Sequence, residues 1–372
     1  MKSRIASLLM IAAFCGGLQR IAFARGFKTT AKYMVQSFPE SVAVGDFNGD
    51  HKLDIVTVYQ TSDVGFGGFD LLKGNGDGTF QPPIRNNIGI FKGSQIVAAD
   101  FNNDGKLDVA IVSEGDKVVW IILGNGDGTF QTQTNIPLND SPVGFTVGDV
   151  NNDGILDVAV ANLFTGLQIA LGNGDGTFQA PVDYAAGLFP AAVTLADLNH
   201  DGKLDAVVTN TGDSTLSVFL GNGNGTFQPM TTVMTGGPIA TAAADFNGDG
   251  KLDLAVADGG TASIGILLGN GDGTFQPEMS FPGGGGGVLV GDFNLDGHVD
   301  VVSLGGGEVV VFGGNGDGTL RPAVMFGVGG SGSSAVAADV NGDGALDLVV
   351  TVFQTDGVPP QYVKILTNSV GP

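Results

Sequence analysis

Apolar residues in this chain come in short blocks instead of at helical spacing. "SQIVAAD" (94–100) leads into an acidic loop, "LDVAIVS" (107–113) leaves it, and "VVWIILG" (118–124) ends at a glycine-rich turn followed by a weaker segment. These blocks are rich in Val, Ile, Leu and Phe and bounded by Asp, Asn and Gly, a pattern that predicts strands; no long 3.6-residue period interrupts them. The same order recurs along the chain. Four strands per unit, here A to D, is the sequence signature of a propeller blade.

The acidic loop, Asp-x-Asn-x-Asp-x-x-(Leu/Val)-Asp, begins at Asp46, Asp100, Asp149, Asp197, Asp245, Asp292 and Asp339, at intervals of 54, 49, 48, 48, 47 and 47 residues. The turn "GNGDGTF", or a close variant, begins at Gly74, Gly124, Gly172, Gly221, Gly269 and Gly314. Seven loops and six turns leave the last repeat without its D strand. The stretch "FKTTAKYMVQSFPESVAVGD" near the N-terminus aligns with a D strand followed by an A strand. Residues near Phe27 to Met34 are therefore expected to complete the last blade and remove an open edge. The expected fold is all-β: a seven-bladed β-propeller of four-stranded blades over residues 25–372.

Alternating oxygen-bearing side chains at loop positions 1, 3 and 5, a backbone carbonyl at 7 and a carboxylate at 9 form a donor set for a hard cation. In the second loop these are Asp100, Asn102, Asp104, Lys106 and Asp108. The first has Asp46, Asn48, Asp50, Lys52 and Asp54; the third has Asp149, Asn151, Asp153, Ile155 and Asp157. The fourth has Asp197, Asn199, Asp201, Lys203 and Asp205; the fifth has Asp245, Asn247, Asp249, Lys251 and Asp253. The sixth has Asp292, Asn294, Asp296, His298 and Asp300; the seventh has Asp339, Asn341, Asp343, Ala345 and Asp347. An all-protein oxygen cage suits Ca²⁺ better than Mg²⁺, and the absence of cysteine ligands argues against zinc. Up to seven calcium ions are expected. Glycine at position 6 permits a positive φ, so His51 in the first loop predicts backbone strain. Apolar residues at positions 2 and 8 are expected to anchor each loop. The Asn-Gly and Asp-Gly pairs of "GNGDGTF" read as a structural hairpin.

Composition sharpens this picture. A formal charge of −22 argues against nucleic acid and anionic lipid as partners. The loops hold three acids each, and seven divalent ions would bring −22 to −8. Residues 1–24 read as a secretory signal, with Lys2 and Arg4 ahead of an apolar run and "AFA" at 22–24; the run is too short for a comfortable transmembrane anchor. The one cysteine, Cys15, falls within it, so no disulfide is expected in an exported form.

The loops and glycine turns resemble FG-GAP/VCBS repeat proteins, whose relatives include the propellers of integrin alpha subunits. The resemblance covers everything after the signal and implies a seven-bladed propeller with calcium in the A–B loops. It implies adhesion, carbohydrate binding or catalytic scaffolding without choosing among them. All three histidines lie in acidic loops, and no Ser-His-Asp set or cysteine nucleophile can be assembled. Glu114, Asp116, Asp213 and Asp258 are the acids that would have to pair for glycoside chemistry. The D–A and B–C loops, on the face away from the acidic loops, carry Tyr59, Phe91, Phe164, Tyr184 and Phe189, aromatics suited to sugars or a protein partner. The expectation is a monomeric, secreted or cell-surface recognition or adhesion module for extracellular carbohydrate or protein. The alternative is a calcium-dependent polysaccharide lyase or hydrolase.

Overall fold

A computed structural model describes residues 26–36, 38–60, 66–305, 307–353 and 361–369. The signal segment, residues 1–24 with Cys15, lies outside the described residues. Among the described residues, twenty-eight strands form seven four-stranded antiparallel sheets. The chain opens with β1 (Phe27–Val35). The first full blade then comprises β2 (Pro39–Gly45), β3 (Asp54–Gln60), β4 (Phe66–Leu72) and β5 (Ile84–Phe91). The second comprises β6 (Gly93–Ala99), β7 (Asp108–Ser113), β8 (Val118–Ile122) and β9 (Thr134–Pro137). The third has β10 (Pro142–Gly148), β11 (Asp157–Asn162), β12 (Gly166–Ala170) and β13 (Val182–Tyr184). The fourth has β14 (Pro190–Ala196), β15 (Asp205–Asn210), β16 (Thr215–Phe219) and β17 (Thr231–Met234). The fifth has β18 (Pro238–Ala244), β19 (Asp253–Asp258), β20 (Ser263–Leu267) and β21 (Met279–Pro282). The sixth has β22 (Val288–Gly291), β23 (Asp300–Gly305), β24 (Glu308–Phe312) and β25 (Val324–Gly327). The seventh consists of β26 (Ser331–Ala338), β27 (Asp347–Phe353) and β28 (Gln361–Asn368), with β1 as its outer strand.

The seven A strands touch one another in succession round a closed ring, β26 returning to β2. Each blade therefore packs its two faces on two neighbours, which is why the B strands are nearly continuous in apolar residues. Strands β7, β11, β15 and β19 are buried at every position. The core is not central but lies between blades. One layer joins Val56, Val58 and Phe69 of the first blade to Val109 and Ile111 of the second. The D strands, at the rim, alternate or are exposed, as in β17.

Ring closure follows the expected register. Phe27 faces Asn368 and Val35 faces Gln361 across an antiparallel pairing. Phe27 stacks edge-on against Phe293 and Phe326 at 6.0 and 5.8 Å. Val35, Val349 and Val363 join Val42 and Ile55 in the layer between the last and first blades. No helix among the described residues is long and apolar enough to cross a membrane.

Deleting residues 27–35 uncovers the β28 edge and removes Phe27 and Val35 from two interblade layers. The truncated chain is expected to melt at lower temperature and to self-associate through that edge. Thermal melts with analytical ultracentrifugation test this; an unchanged melting temperature in a non-associating chain contradicts it.

Candidate functional site

Each acidic loop is knitted by its own aspartates. In the second, Asp100 Oδ1 accepts the Asp104 amide at 3.2 Å and its Oδ2 the Gly105 amide at 2.8 Å. Asn102 Oδ1 also accepts the Asp104 amide at 3.0 Å, and Asp104 Oδ1 accepts the Lys106 amide at 3.0 Å. The curl requires left-handed backbone at two positions. At position 6, Gly105 has φ 82° and His51 adopts φ 62°, so the first loop takes the strained geometry instead of avoiding it. At position 4, Asn103, Asn152, His200 and Leu295 have φ of 57°, 60°, 57° and 58°. Position 2 anchors as expected: Phe47, Phe101, Val150, Leu198, Phe246, Phe293 and Val340 are all buried. The position-8 residues are partly buried in the same layers.

The carboxylate at position 9 does more than end the loop. Asp54, Asp108, Asp157, Asp205, Asp253, Asp300 and Asp347 are all buried. Asp108 Oδ2 accepts the Phe101 amide at 2.8 Å, and its Oδ1 accepts the Gly124 amide, the first residue of "GNGDGTF", at 2.7 Å. The pair of bonds recurs in the other five blades with a glycine turn, from Gly74, Gly172, Gly221, Gly269 and Gly314 at 2.7–2.8 Å. In the last blade, which has no such turn, the Asn368 amide takes the same place on Asp347 at 2.7 Å. The first residue of the turn has to be glycine because a Cβ on Gly124 would sit 2.1 Å from the Leu107 carbonyl oxygen. The rest of the turn is structural: Asn75 Nδ2 donates to Thr79 Oγ1, and Asp77 Oδ1 accepts the Thr79 amide and hydroxyl.

Burial pushes these position-9 carboxyls up: Asp108, Asp157 and Asp347 to about 6 and Asp300 to about 7. The two backbone amides oppose that rise, while the carboxylates at positions 1 and 5 add to it. The donor set is entirely oxygen, and a carboxylate oxygen that accepts one amide keeps further lone pairs. Its chemistry fits a hard divalent cation. Among the described residues no group of three or more His, Cys, Asp or Glu side chains already converges as a metal cage. The loop carboxylates turn toward their own backbone.

The other face is less uniform. Phe164 in the β11–β12 loop and Phe189 in the β13–β14 link are 72% and 49% exposed, with ring centroids 6.4 Å apart, edge to face. Leu188 stands beside them, also exposed, and Phe189 holds φ 53°, unusual for a bulky residue. The remaining expected aromatics do not join them. Tyr59 is a buried residue of β3, its hydroxyl on Asn87. Tyr184 packs edge-on against Phe219 and Phe227 between blades. Phe91 lies against Gly115, where a Cβ would come within 2.2 Å of its ring. Three of the four isolated acids are engaged locally. Glu114 pairs with Lys92 at 3.9 Å, Asp116 accepts Trp120 Nε1 at 3.1 Å, and Asp213 accepts the Leu188 amide at 3.1 Å. Asp258 is buried beside Glu278, and its carboxyl is pushed up by burial first and by Glu278 next.

Six stretches match the FG-GAP-like repeat, at residues 46–111, 100–160, 149–208, 197–256, 245–303 and 292–350. Each runs from one acidic loop through the next. The chain belongs to the FG-GAP-like repeat family. No curated protein sequence matches it. Among solved structures, an Agrocybe aegerita lectin described as recognising non-reducing terminal N-acetylglucosamine is 24% identical, with a TM-score of 0.55 over 76% of this chain and 79% of that one. The biofilm matrix protein Bap1 of V. cholerae is 13% identical, with a TM-score of 0.55 over 93% and 92%. BBS1N, solved in complex with ARL6DN, is 12% identical, with a TM-score of 0.62 over 92% and 96%. These likenesses establish the fold.

Successive FG-GAP repeats are also bonded to one another at the loop end. The Gly128 amide of one turn donates to the Phe47 carbonyl of the preceding blade's loop at 2.9 Å, and Gly78 donates likewise to Val340 across the ring closure at 3.0 Å. Asn368 Nδ2 supplies the corresponding bond to the Phe293 carbonyl at 2.5 Å. Sequence reading missed these links; the signal was the third glycine of the turn, present in all six copies.

Two roles within one loop can be separated by substitution. With calcium chelated, Asp253→Ala leaves two buried amides unpaired and is expected to cost about 3 kcal/mol. Asp249→Ala, on the solvent side, is expected to leave the urea midpoint near wild type under the same conditions. Equal losses for the two variants contradict this division.

Proposed function

We propose that this FG-GAP propeller is an exported recognition or adhesion module that binds extracellular carbohydrate or protein on the face away from its acidic loops. The observation that carries this reading is the exposed Phe164–Phe189 pair with Leu188 beside it. Solvent-facing aromatic rings at a blade junction offer faces for stacking on a sugar ring or for filling a partner's pocket. The left-handed backbone at Phe189 is the kind of local strain that collects at binding sites. The lectin and the biofilm matrix protein among the structural neighbours are consistent with recognition outside the cell.

Calcium completes the proposal. Residues at positions 1, 3, 5 and 9, such as Asp245, Asn247, Asp249 and Asp253, with the carbonyl of Lys251, would hold one ion per loop. Bound calcium supplies charge compensation and cross-linking, not bond-making chemistry. The chain's own residues do the rest: Asp253 fastens loop to turn, Phe246 seats the loop between blades, and Gly248 and Gly250 curl it. Because the ion binds only the folded ring, it stabilises the fold by mass action.

A glycan-array screen with calcium or with chelator, bound sugars being checked for cleavage, tests the reading. Binding to intact glycans, lost in the Phe164→Ala, Phe189→Ala double variant, is expected, together with a melting temperature that rises with calcium. Cleaved products favour a lyase or hydrolase, and melting curves indifferent to calcium contradict the metal assignment.

A further inference from the structure

The fifth blade holds a buried acid that neither the acidic loops nor the exposed aromatic pair uses. Asp258 ends β19, on the side of that strand where Leu254 and Val256 pack with Val207 and Leu216 of the fourth blade. Its side chain is fully buried, yet neither carboxyl oxygen has a hydrogen-bond partner. Buried polar atoms ordinarily find one, so a donor is missing.

The same corner of the two preceding blades is filled by a donor and an acceptor. In the third blade Asn162 Nδ2 donates to Gln168 Oε1 at 3.0 Å, and in the fourth Asn210 Nδ2 donates to Ser217 Oγ at 3.0 Å. Gln168 and Ser217 stand midway along their C strands, opposite Val160 and Val208; the fifth blade has Gly265 at that register, opposite Val256. Glu278 takes the space so left, its Oε1 lying 2.1 Å from where a Cβ on Gly265 would be. Two carboxyls therefore replace a donor–acceptor pair. As carboxylates they offer acceptors alone; with one proton between them, one becomes a donor.

No cation answers the pair. Strands β15, β16 and β17 of the fourth blade and β18, β20 and β21 of the fifth contain no Lys, Arg or His. Their one acid, Asp205, lies at the acidic-loop end of β15 and accepts the Gly221 amide, while Asp213 in the β15–β16 loop accepts the Leu188 amide. The β17–β18 link borders the site, since a Cβ on Gly236 would come within 3.1 Å of Asp258 Oδ2 and 3.0 Å of Thr261 Oγ1. The Thr261 and Ser263 hydroxyls are bonded to each other at 2.7 Å. Burial raises the Asp258 carboxyl first and Glu278 raises it further, with the Gly236 amide acting against both. Glu278 is half-buried and lines a groove at the rim beside Thr231, Thr232, Val233 and Met234, so it joins the sealed Asp258 to solvent.

We propose that Asp258 and Glu278 share one proton and form a pH-sensitive latch between the fourth and fifth blades. With the proton in place the two carboxyls are hydrogen-bonded, and the residue that leads into β21 is held against the β17–β18 link. Glu278 passes the proton to solvent through the rim groove. Once it is gone, two like charges face each other out of water with no cation between them, and Glu278 turns outward into the groove. Because folding raises the Asp258 pKa, the latch stabilises the ring fully below the usual carboxylate range and is lost as pH rises through the raised value.

Thermal melts of the full chain from about pH 5 to about pH 9 test the latch. Wild type is expected to lose at least about 2 °C more over that range than Asp258→Asn, whose amide donates to Glu278 at every pH. The position-9 carboxyls titrate alike in both chains and cancel in the difference. Glu278→Gln should flatten the profile in the same way. Near about pH 6, where exposed carboxyls have ionised, the infrared difference between wild type and Asp258→Asn should contain one protonated-carboxyl band. Hydrogen-exchange protection of β21 should fall with rising pH in wild type and hold in Asp258→Asn. Parallel melting profiles, a difference spectrum without that band, or β21 protection that falls equally in both chains would each overturn the proposal. Should Asp258→Asn not fold, Glu278→Gln decides alone, and a profile as steep as wild type overturns it.

Discussion

Seven carboxylates, taken out of water at one end of the ring, hold this propeller's architecture in register. Each accepts one amide from the start of its own A–B loop and one from the opening residue of the C–D turn, or from Asn368 in the last blade. Hydrogen bonds to a charged acceptor are worth about 1.5–3 kcal/mol each, and a buried donor left unpaired costs a similar amount. The turn so fixed places its third glycine where it donates to the neighbouring blade's loop, as Gly128 does to Phe47. A bond within one blade thus positions the bond between blades.

That arrangement divides the molecule into two ends with different duties. At the acidic end the sequence is bound by geometry: glycine where a carbonyl comes too close, an apolar anchor at position 2, oxygen at alternate positions. The D–A and B–C loops bond to one another through the backbone, as the Leu138 amide does to the Lys117 carbonyl and Thr235 to Ser214, but their side chains differ from blade to blade. Phe164 and Phe189 can project there without disturbing strand pairing. Separating the repeated frame from the variable face lets that face change while the fold does not.

The fold was legible because it repeats. Seven loops against six turns gave the blade count and exposed the missing outer strand, and the segment expected near Phe27 to Met34 appears as β1, Phe27–Val35. The candidate site was legible only in part. Oxygen spacing marked the loop donors, but their use by the backbone was hidden. Asp108 and Gly124 stand 16 residues apart and meet only through sheet register. Position 4 hid its left-handed backbone because Asn, His and Leu occur there beside Gly. Tyr59 was assigned to a loop, but β3 extends through Gln60 and carries its ring into the blade. Tyr184 reads like an exposed loop aromatic, yet Phe219 and Phe227 of the next blade enclose it. Such burial depends on what the neighbouring blade supplies, which local sequence does not state. Phe164 and Phe189 could be named individually; their pairing required the ring.

Hydrogen exchange at the opening amides of the turns, Gly124, Gly172, Gly221, Gly269 and Gly314, measured with calcium chelated, tests the buried-carboxylate frame most directly. These donors should exchange only on global unfolding, as slowly as the B-strand amides around them. Rapid exchange at those glycines in the chelated protein, with the B strands still protected, would contradict the account.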